Sequence, residues 1–110
     1  MPDYELPSIT PAELAAALDS ITPPRIVDIR KVPARGPETL ADAQLIDPFA
    51  FDHEAAEGFR GQDVVFFCVH GHEVSQFASA LARVHGAEAR YVVGGFEALV
   101  AAGAPLEGIA

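Results

Sequence analysis

Residues 64–75, VVFFCVHGHEVS, place the chain's only cysteine, Cys68, where an apolar run changes into a helical pattern. The run from Asp63 to Val69 is almost entirely apolar, which is typical of a central parallel strand buried on both faces. From Glu73 to His85 the apolar residues fall at helical spacing, which predicts a helix. The predicted buried face of that helix consists of Val74, Phe77, Ala78, Leu81 and Val84.

Strands and helices alternate on both sides of this junction. We predict strands over residues 25–30, 44–47 and 90–93 from their apolar and β-branched composition. Helices are predicted over residues 53–60 and 96–102, and one is predicted to begin at Pro11 with Thr10 as the N-cap and to be stopped by residues 22–24, TPP. Residues 32–42 are predicted to form a loop. The alternation predicts one α/β domain over residues 1–110, with a mostly parallel sheet and helices on both sides.

The charge and cysteine content exclude several classes of protein. The 110 residues include 16 acidic and 7 basic side chains, for a formal net charge of −9. Such a chain repels phosphate backbones and anionic lipids, so neither a nucleic acid nor a membrane is expected as a partner. One cysteine forms no internal disulfide, the N-terminal MPDYELPS lacks a signal-peptide pattern, and the apolar runs are shorter than the ~18 residues of a membrane span. We therefore expect a cytoplasmic location.

Cys68 is predicted to lie where open α/β sheets bind their ligands, beyond the carboxyl end of a strand. The backbone amides from Val69 to Glu73, with the positive end of the next helix, are suited to hold an anion there. Gly71 supplies the conformational freedom that a tight loop needs. The nearest anion is the Cys68 thiolate, a form that helix N-termini favour. A buried, inert cysteine is the alternative, and its position alone leaves both open.

Three segments resemble the rhodanese-like domains, and in particular the small single-domain thiosulfate sulfurtransferases. Residues 26–30, IVDIR, match the Asp-x-Arg that follows the first core strand in that family. Residues 64–71 match its apolar strand, cysteine and glycine three positions later, and residues 89–99 match its strand, Gly-Gly pair and helix. The resemblance covers most of the chain and implies a three-layer α/β/α domain with a mostly parallel central sheet.

The activity implied by this resemblance is sulfur transfer without a cofactor. Cys68 is the implied catalytic residue, which takes the sulfane sulfur of thiosulfate or another persulfide donor and holds it as a persulfide. A thiophilic acceptor, such as a small or a protein thiol, then removes that sulfur. The implied substrate-binding loop consists of Val69, His70, Gly71, His72 and Glu73.

The loop departs from the commonest family pattern at Glu73, where many members have an arginine. Some small members also lack that arginine and have Cys-x-His-Gly, which residues 68–71 match. A glutamate in a first helical turn is stabilised by the helix dipole by about 0.3–1 kcal/mol, so we expect its carboxylate to face solvent. If it faces the loop mouth instead, thiosulfate binds poorly and a persulfide is the better donor.

Other polar residues near the junction have more than one interpretation. Arg30 is a candidate for the mouth of the site, although an Asp28-x-Arg30 pair more often ties loops together. Arg35 and Arg60 are candidates for the positive charge that an anion needs. Ser75 is expected to cap the helix or to bond a loop carbonyl.

The two loop histidines also allow more than one role. His70 and His72 are either solvated or hydrogen-bond to a bound anion, which they attract more strongly as the pH falls. Together with Cys68 they offer three metal ligands, whereas structural zinc normally needs four. No metal site is therefore predicted.

Two other functions are compatible with this pattern. A rhodanese-like module that only carries sulfur or docks a partner is favoured by Glu73 and by the acidic surface. A phosphatase or arsenate reductase on the same fold needs a loop one residue longer that ends in arginine. Position 74 is valine, and no arginine lies between Cys68 and Arg83, so this function is disfavoured.

Overall fold

The computed structural model describes residues 6–109, in which strands and helices alternate as the sequence predicts. The strands are β1 (Ser8–Ile9), β2 (Arg25–Asp28), β3 (Glu38–Leu40), β4 (Gln44–Leu45), β5 (Asp63–Phe67), β6 (Glu88–Val92) and β7 (Leu106–Gly108). The helices are α1 (Pro11–Leu18), α2 (His53–Glu57), α3 (Glu73–Val84) and α4 (Gly95–Ala101). Within the described part of the chain, none of these helices is both long enough and apolar enough to cross a bilayer.

Five strands form a parallel sheet in the order β1-β6-β5-β2-β4. β5 lies in the middle, with Asp28 of β2 beside Phe67 on one side and Tyr91 of β6 beside Phe66 on the other. Residues 64–67 are each 0% exposed, so this strand is buried on both faces as predicted. Because the strands run parallel, the segments that follow β2 and β5 lie side by side at one edge.

Helices cover both faces of the sheet and confirm the three-layer α/β/α architecture. On one face, α1 and α4 contribute Leu14 and Leu99 to a cluster that includes Val65 and Phe67 of β5. On the other face, α2 and α3 contribute alanines to a cluster that includes Phe66 and Cys68. Burying one such large apolar side chain contributes about 1.5–3 kcal/mol. The alternating direction of side chains in β5 therefore stabilises both layers.

The start of α1 is the predicted one. The hydroxyl of Thr10 accepts a hydrogen bond from the amide of Glu13 at 3.1 Å, and the Glu13 carboxylate accepts one from the amide of Thr10 at 2.9 Å. This reciprocal pair satisfies two amides that the first helical turn leaves without partners.

The buried face of α3 differs from the predicted one. Phe77 and Val84 are 64% and 76% exposed, so their assignment to the core was wrong. The residues that α3 buries are small: Ser75, Ala78, Ser79 and Ala82. Small side chains allow a helix to lie close against a sheet, and this orientation leaves the two larger residues facing solvent.

The segment predicted as a loop over residues 32–42 contains β3, which pairs antiparallel with β7. Neither strand is apparent in the sequence, because each has only three residues and depends on the other for its hydrogen bonds. Leu40 of β3 is 1% exposed and joins the core under α1 and α4. Thr39 of β3 donates a hydrogen bond to the Asp28 carboxylate at 2.7 Å, which fixes β3 beside the end of β2.

Candidate active site

Cys68 directly follows β5 and lines a pocket at the carboxyl edge of the sheet. The residue is 6% exposed, and the pocket has a volume of about 420 Å³. Gly71 is buried and lies outside the lining, but the other predicted loop residues line the pocket together with Arg30. The full lining consists of Arg30, Lys31, Ala34, Cys68, Val69, His70, His72, Glu73 and Val74.

The first residues of the loop are fixed by α4. The amide of Phe96 donates to the carbonyl of Cys68 at 2.7 Å, and the amide of Glu97 donates to the carbonyl of Val69 at 3.2 Å. Among residues 6–109, no acceptor is found for the amides of residues 69–72. Successive amides without protein acceptors, followed by a helix N-terminus, form the kind of backbone site that binds anions.

Close packing of glycines holds the loop against the turn before α4. Gly71 and Gly95 have positive φ values of 76° and 61°. A Cβ atom on Gly95 would lie 2.4 Å from the carbonyl oxygen of Cys68, and one on Gly71 would lie 2.5 Å from that of Val92. Only glycine fits at both positions, because the Gly-Gly pair at residues 94–95 packs directly on the cysteine loop.

Ser75 provides a contact with the sulfur that the sequence does not reveal. Its hydroxyl oxygen lies 3.1 Å from the Sγ atom of Cys68, and the residue is 0% exposed. A protonated thiol donates to this oxygen, whereas a thiolate accepts from the hydroxyl. The expected capping role was therefore wrong, because the first turn of α3 directs this side chain back toward the end of β5.

The two histidines and Glu73 lie at the exposed rim of the pocket. The Nδ1 atom of His70 contacts the carboxylate of Glu97 on α4, so the first histidine is paired across the loop. Glu73 is exposed, as predicted, yet it also lines the pocket, and its charge therefore lies at the mouth. In the described part of the chain, no group of three or more potential ligands is placed to hold a metal ion.

Arg30 lies at the pocket but is largely neutralised by Asp28. Its guanidinium donates three hydrogen bonds to the Asp28 carboxylate, at 2.7 Å, 3.0 Å and 3.1 Å, and the two side chains are 3% and 0% exposed. The same guanidinium donates to the carbonyl of Glu38 at 2.8 Å and lies 4.1 Å from the ring centre of Phe96. These contacts join β2, β3 and α4, which is the loop-tying role expected for this pair.

The positive charge at the pocket comes from a residue that the sequence analysis did not consider. Lys31 is exposed, lines the pocket and has no ion-pair partner among residues 6–109. Arg60 pairs with Glu57 on the far side of α2, and Arg35 does not line the pocket either. Both of those candidates were therefore wrong. Lys31 directly follows Arg30 and both line the pocket, but only the folded structure shows that Arg30 is ion-paired with Asp28.

The sheet order, the cysteine after the central strand and the amide-lined loop before a helix define a class of α/β domain with a cysteine site at the strand edge. A sequence profile described as "Rhodanese-like domain" matches residues 10–102. The chain belongs to the rhodanese-like domain family. No curated protein matches the chain significantly.

Solved structures support the same fold. A rhodanese-like domain protein from Staphylococcus aureus has a TM-score of 0.74 at 26% identity, over 84% of this chain and 90% of that one. A thiosulfate sulfurtransferase from Pseudomonas aeruginosa has a TM-score of 0.76 at 23% identity; the match covers 94% of this chain but 20% of that protein. An As-Sb reductase from Leishmania major has a TM-score of 0.72 at 19% identity, over 89% and 79% of the two chains. At such identities the last two show the fold alone.

Proposed function

We propose that the protein is a cytoplasmic sulfurtransferase that moves sulfane sulfur through a persulfide on Cys68. The observation that carries this proposal is that Cys68 lines a pocket, has its Sγ atom 3.1 Å from the Ser75 hydroxyl oxygen, and begins a loop whose next four amides have no acceptor among residues 6–109. Membership of the rhodanese-like family supports sulfur-transfer chemistry at this position.

In the first step the Cys68 thiolate attacks the outer sulfur of a donor such as thiosulfate. A sulfur–sulfur bond forms at Cys68 while the sulfur–sulfur bond of the donor breaks, and sulfite leaves with the electron pair. The product is a persulfide anion on Cys68. Amides and a hydroxyl that are already in place stabilise this anion without reorganisation, so the step needs neither a metal nor a cofactor.

In the second step the thiolate of an acceptor attacks the outer sulfur of the persulfide. The new sulfur–sulfur bond forms on the acceptor, the bond to Cys68 breaks, and the Cys68 thiolate is restored. The residues of the proposed substrate-binding loop are Val69, His70, Gly71, His72 and Glu73, and Arg30, which lines the same pocket, is a further candidate. No oxidant is required, because the sulfur changes partners without a net change in oxidation state.

A non-catalytic sulfur carrier or docking module is the second candidate. The charge of Glu73 at the mouth and the net charge of −9 favour it, because both oppose the approach of a dianion such as thiosulfate. Lys31 at the same mouth acts in the opposite direction.

Mass spectrometry after incubation with thiosulfate tests the proposal. We expect the wild-type mass to rise by one sulfur atom and the Cys68→Ser mass to stay unchanged. Addition of cyanide should then remove the sulfur and produce thiocyanate. Loading without turnover would favour the carrier. The absence of any sulfur adduct with either thiosulfate or a glutathione persulfide donor would exclude both the sulfurtransferase and the sulfur carrier, and would leave only a docking module.

A further inference from the structure

A shallow apolar groove adjoins the pocket of Cys68. It has a volume of about 250 Å³ and shares Lys31, Glu73 and Val74 with the pocket. We call it the Phe49–Phe77 groove, and its complete lining is Lys31, Pro48, Phe49, Glu73, Val74 and Phe77. A molecule that enters the pocket from this side must therefore cross the groove.

Two exposed phenylalanines line this groove. Phe49 is 83% exposed and Phe77 is 64% exposed. The backbone at Phe49 is held in a short 3-10 turn, in which the Asp47 carboxylate accepts from the Phe49 amide at 3.0 Å. Phe77 projects from α3 because that helix buries small residues instead. Exposed aromatic side chains on fixed backbone are typical of surfaces that bind other proteins.

We propose that the Phe49–Phe77 groove docks a cysteine-bearing segment of an acceptor protein, with an apolar residue near the cysteine and a basic residue opposite Glu73. This inference rests on the proposed function, since it names the acceptor of the same site. A small anion such as thiosulfate fits in the pocket and leaves the phenylalanines uncovered. A polypeptide whose cysteine reaches Cys68 has neighbouring residues that must lie somewhere on the rim.

Charge determines which polypeptide the groove favours. Glu73 and Lys31 both line the groove where it meets the pocket, and neither has an ion-pair partner among residues 6–109, so their local charges offset each other. The net charge of −9 of the whole chain then decides the preference: it repels an acidic segment and attracts a basic one, which Glu73 orients. The partner is therefore a basic, partly apolar cysteine segment rather than an acidic thiol such as glutathione.

Disulfide exchange tests docking without any sulfur transfer. The probe is a short peptide in which leucine and lysine flank one cysteine activated as a 2-pyridyl disulfide. The Cys68 thiolate attacks the peptide sulfur, the probe's disulfide breaks, and 2-thiopyridone leaves and is measured by its absorbance. A peptide with serine and glutamate at the flanking positions, and the small reagent methyl 2-pyridyl disulfide, serve as comparison probes.

We expect Phe49→Ala and Phe77→Ala each to slow disulfide exchange with the leucine–lysine peptide by about tenfold, since each removes a large apolar contact. The rate with the small disulfide should not change. Val100→Ala is the matched control, because Val100 is 46% exposed on α4 and lines neither pocket nor groove. Wild type should also prefer the leucine–lysine peptide to the serine–glutamate one.

Three outcomes would overturn the docking inference. The first is that wild type and both phenylalanine variants react with the leucine–lysine peptide at equal rates. The second is that the variants lose as much rate with the small disulfide as with the peptide. The third is that sedimentation shows a wild-type dimer that dissociates in the Phe49→Ala variant. The last would assign the groove to a second copy of the chain. Failure of thiosulfate to load Cys68, with peptide selectivity intact, would remove the proposed donor chemistry and leave the docking surface in place.

Discussion

Cys68 and Ser75 illustrate what a single side-chain contact contributes to the site. The hydroxyl of Ser75 is fully buried, so water does not compete for it, and the Sγ atom of Cys68 lies 3.1 Å away. Ser79 lies one helical turn further along the same buried face, and its hydroxyl has no partner among the described residues. Both serines are buried on α3, but only Ser75 contacts the sulfur, which makes Ser79 a suitable comparison.

Replacement of Ser75 by alanine should make Cys68 less reactive at neutral pH. A hydrogen bond to a charged group contributes about 1.5 kcal/mol or more, so we expect iodoacetamide alkylation to slow by on the order of tenfold. Ser75→Thr should retain most of the wild-type rate. Ser79→Ala is the control. Identical alkylation rates for both alanine variants would show that the Ser75 hydroxyl does not assist the reaction of Cys68.

The sequence identifies Cys68 but not the groups around it. A lone cysteine between an apolar run and a helical pattern can be found from local composition. The contact with Ser75 depends on how far the loop turns before α3 begins, and local composition does not fix that angle. The charge of Lys31 at the pocket depends on which of two adjacent basic residues Asp28 neutralises.

Among the helices, α3 shows why hydrophobic spacing alone can misplace a buried face. Phe77 and Val84 share helical spacing with Ala78 and Leu81, yet the helix packs on its serines and alanines. Side-chain size explains this orientation. With serines and alanines at the contact, α3 lies closer to β5 and β6 and buries more of the sheet than it would with a large residue there. The positions of β2, β5 and β6 were predicted well, since each of these strands includes an apolar run of its own.

A surface ion-pair network joins the end of α2 to the end of α3. The Glu57 carboxylate accepts from Arg60 at 2.6 Å and from Nδ1 of His85 at 2.8 Å, and His85 contacts Nδ1 of His53 through its other nitrogen at 2.8 Å. The hydrogen bonds from Arg60, and secondly from His85, lower the pKa of Glu57 from 4.5 to about 2. The network therefore depends on an ionised carboxylate.

Substitution Glu57→Gln should destabilise the protein at neutral pH but not in strong acid. A lowered folded-state pKa gives a stabilisation that is complete above about 4.5 and is lost as the pH falls through about 2. The difference in thermal midpoint between wild type and variant should therefore shrink over this interval. Glu54→Gln, on the same helix and outside any ion pair among residues 6–109, is the control. A difference that persists unchanged at pH 2 would contradict this assignment.

At the scale of the whole molecule, the net charge of −9 opposes the entry of the anions that are proposed to bind at the loop. The loop acts at hydrogen-bond distance, whereas the net charge acts over a screening length of about 30 Å at 0.01 M salt and about 10 Å at 0.1 M. Salt therefore weakens the repulsion more than it weakens the local contacts. The charges of Lys31 and Glu73 at the mouth act at distances longer than a hydrogen bond but shorter than the screening length. They have opposite effects on an entering anion.

Alkylation of Cys68 by iodoacetate and by neutral iodoacetamide separates charge from thiol reactivity. We expect the iodoacetate rate divided by the iodoacetamide rate to rise with added salt, because only iodoacetate is repelled. Two unit charges about 6 Å apart in water interact by about 0.7 kcal/mol, so Glu73→Gln should raise the low-salt ratio by about threefold and Lys31→Gln should lower it similarly. If neither substitution changes the rate ratio, these two charges lie outside the path of an entering anion. The loop amides alone would then select the donor.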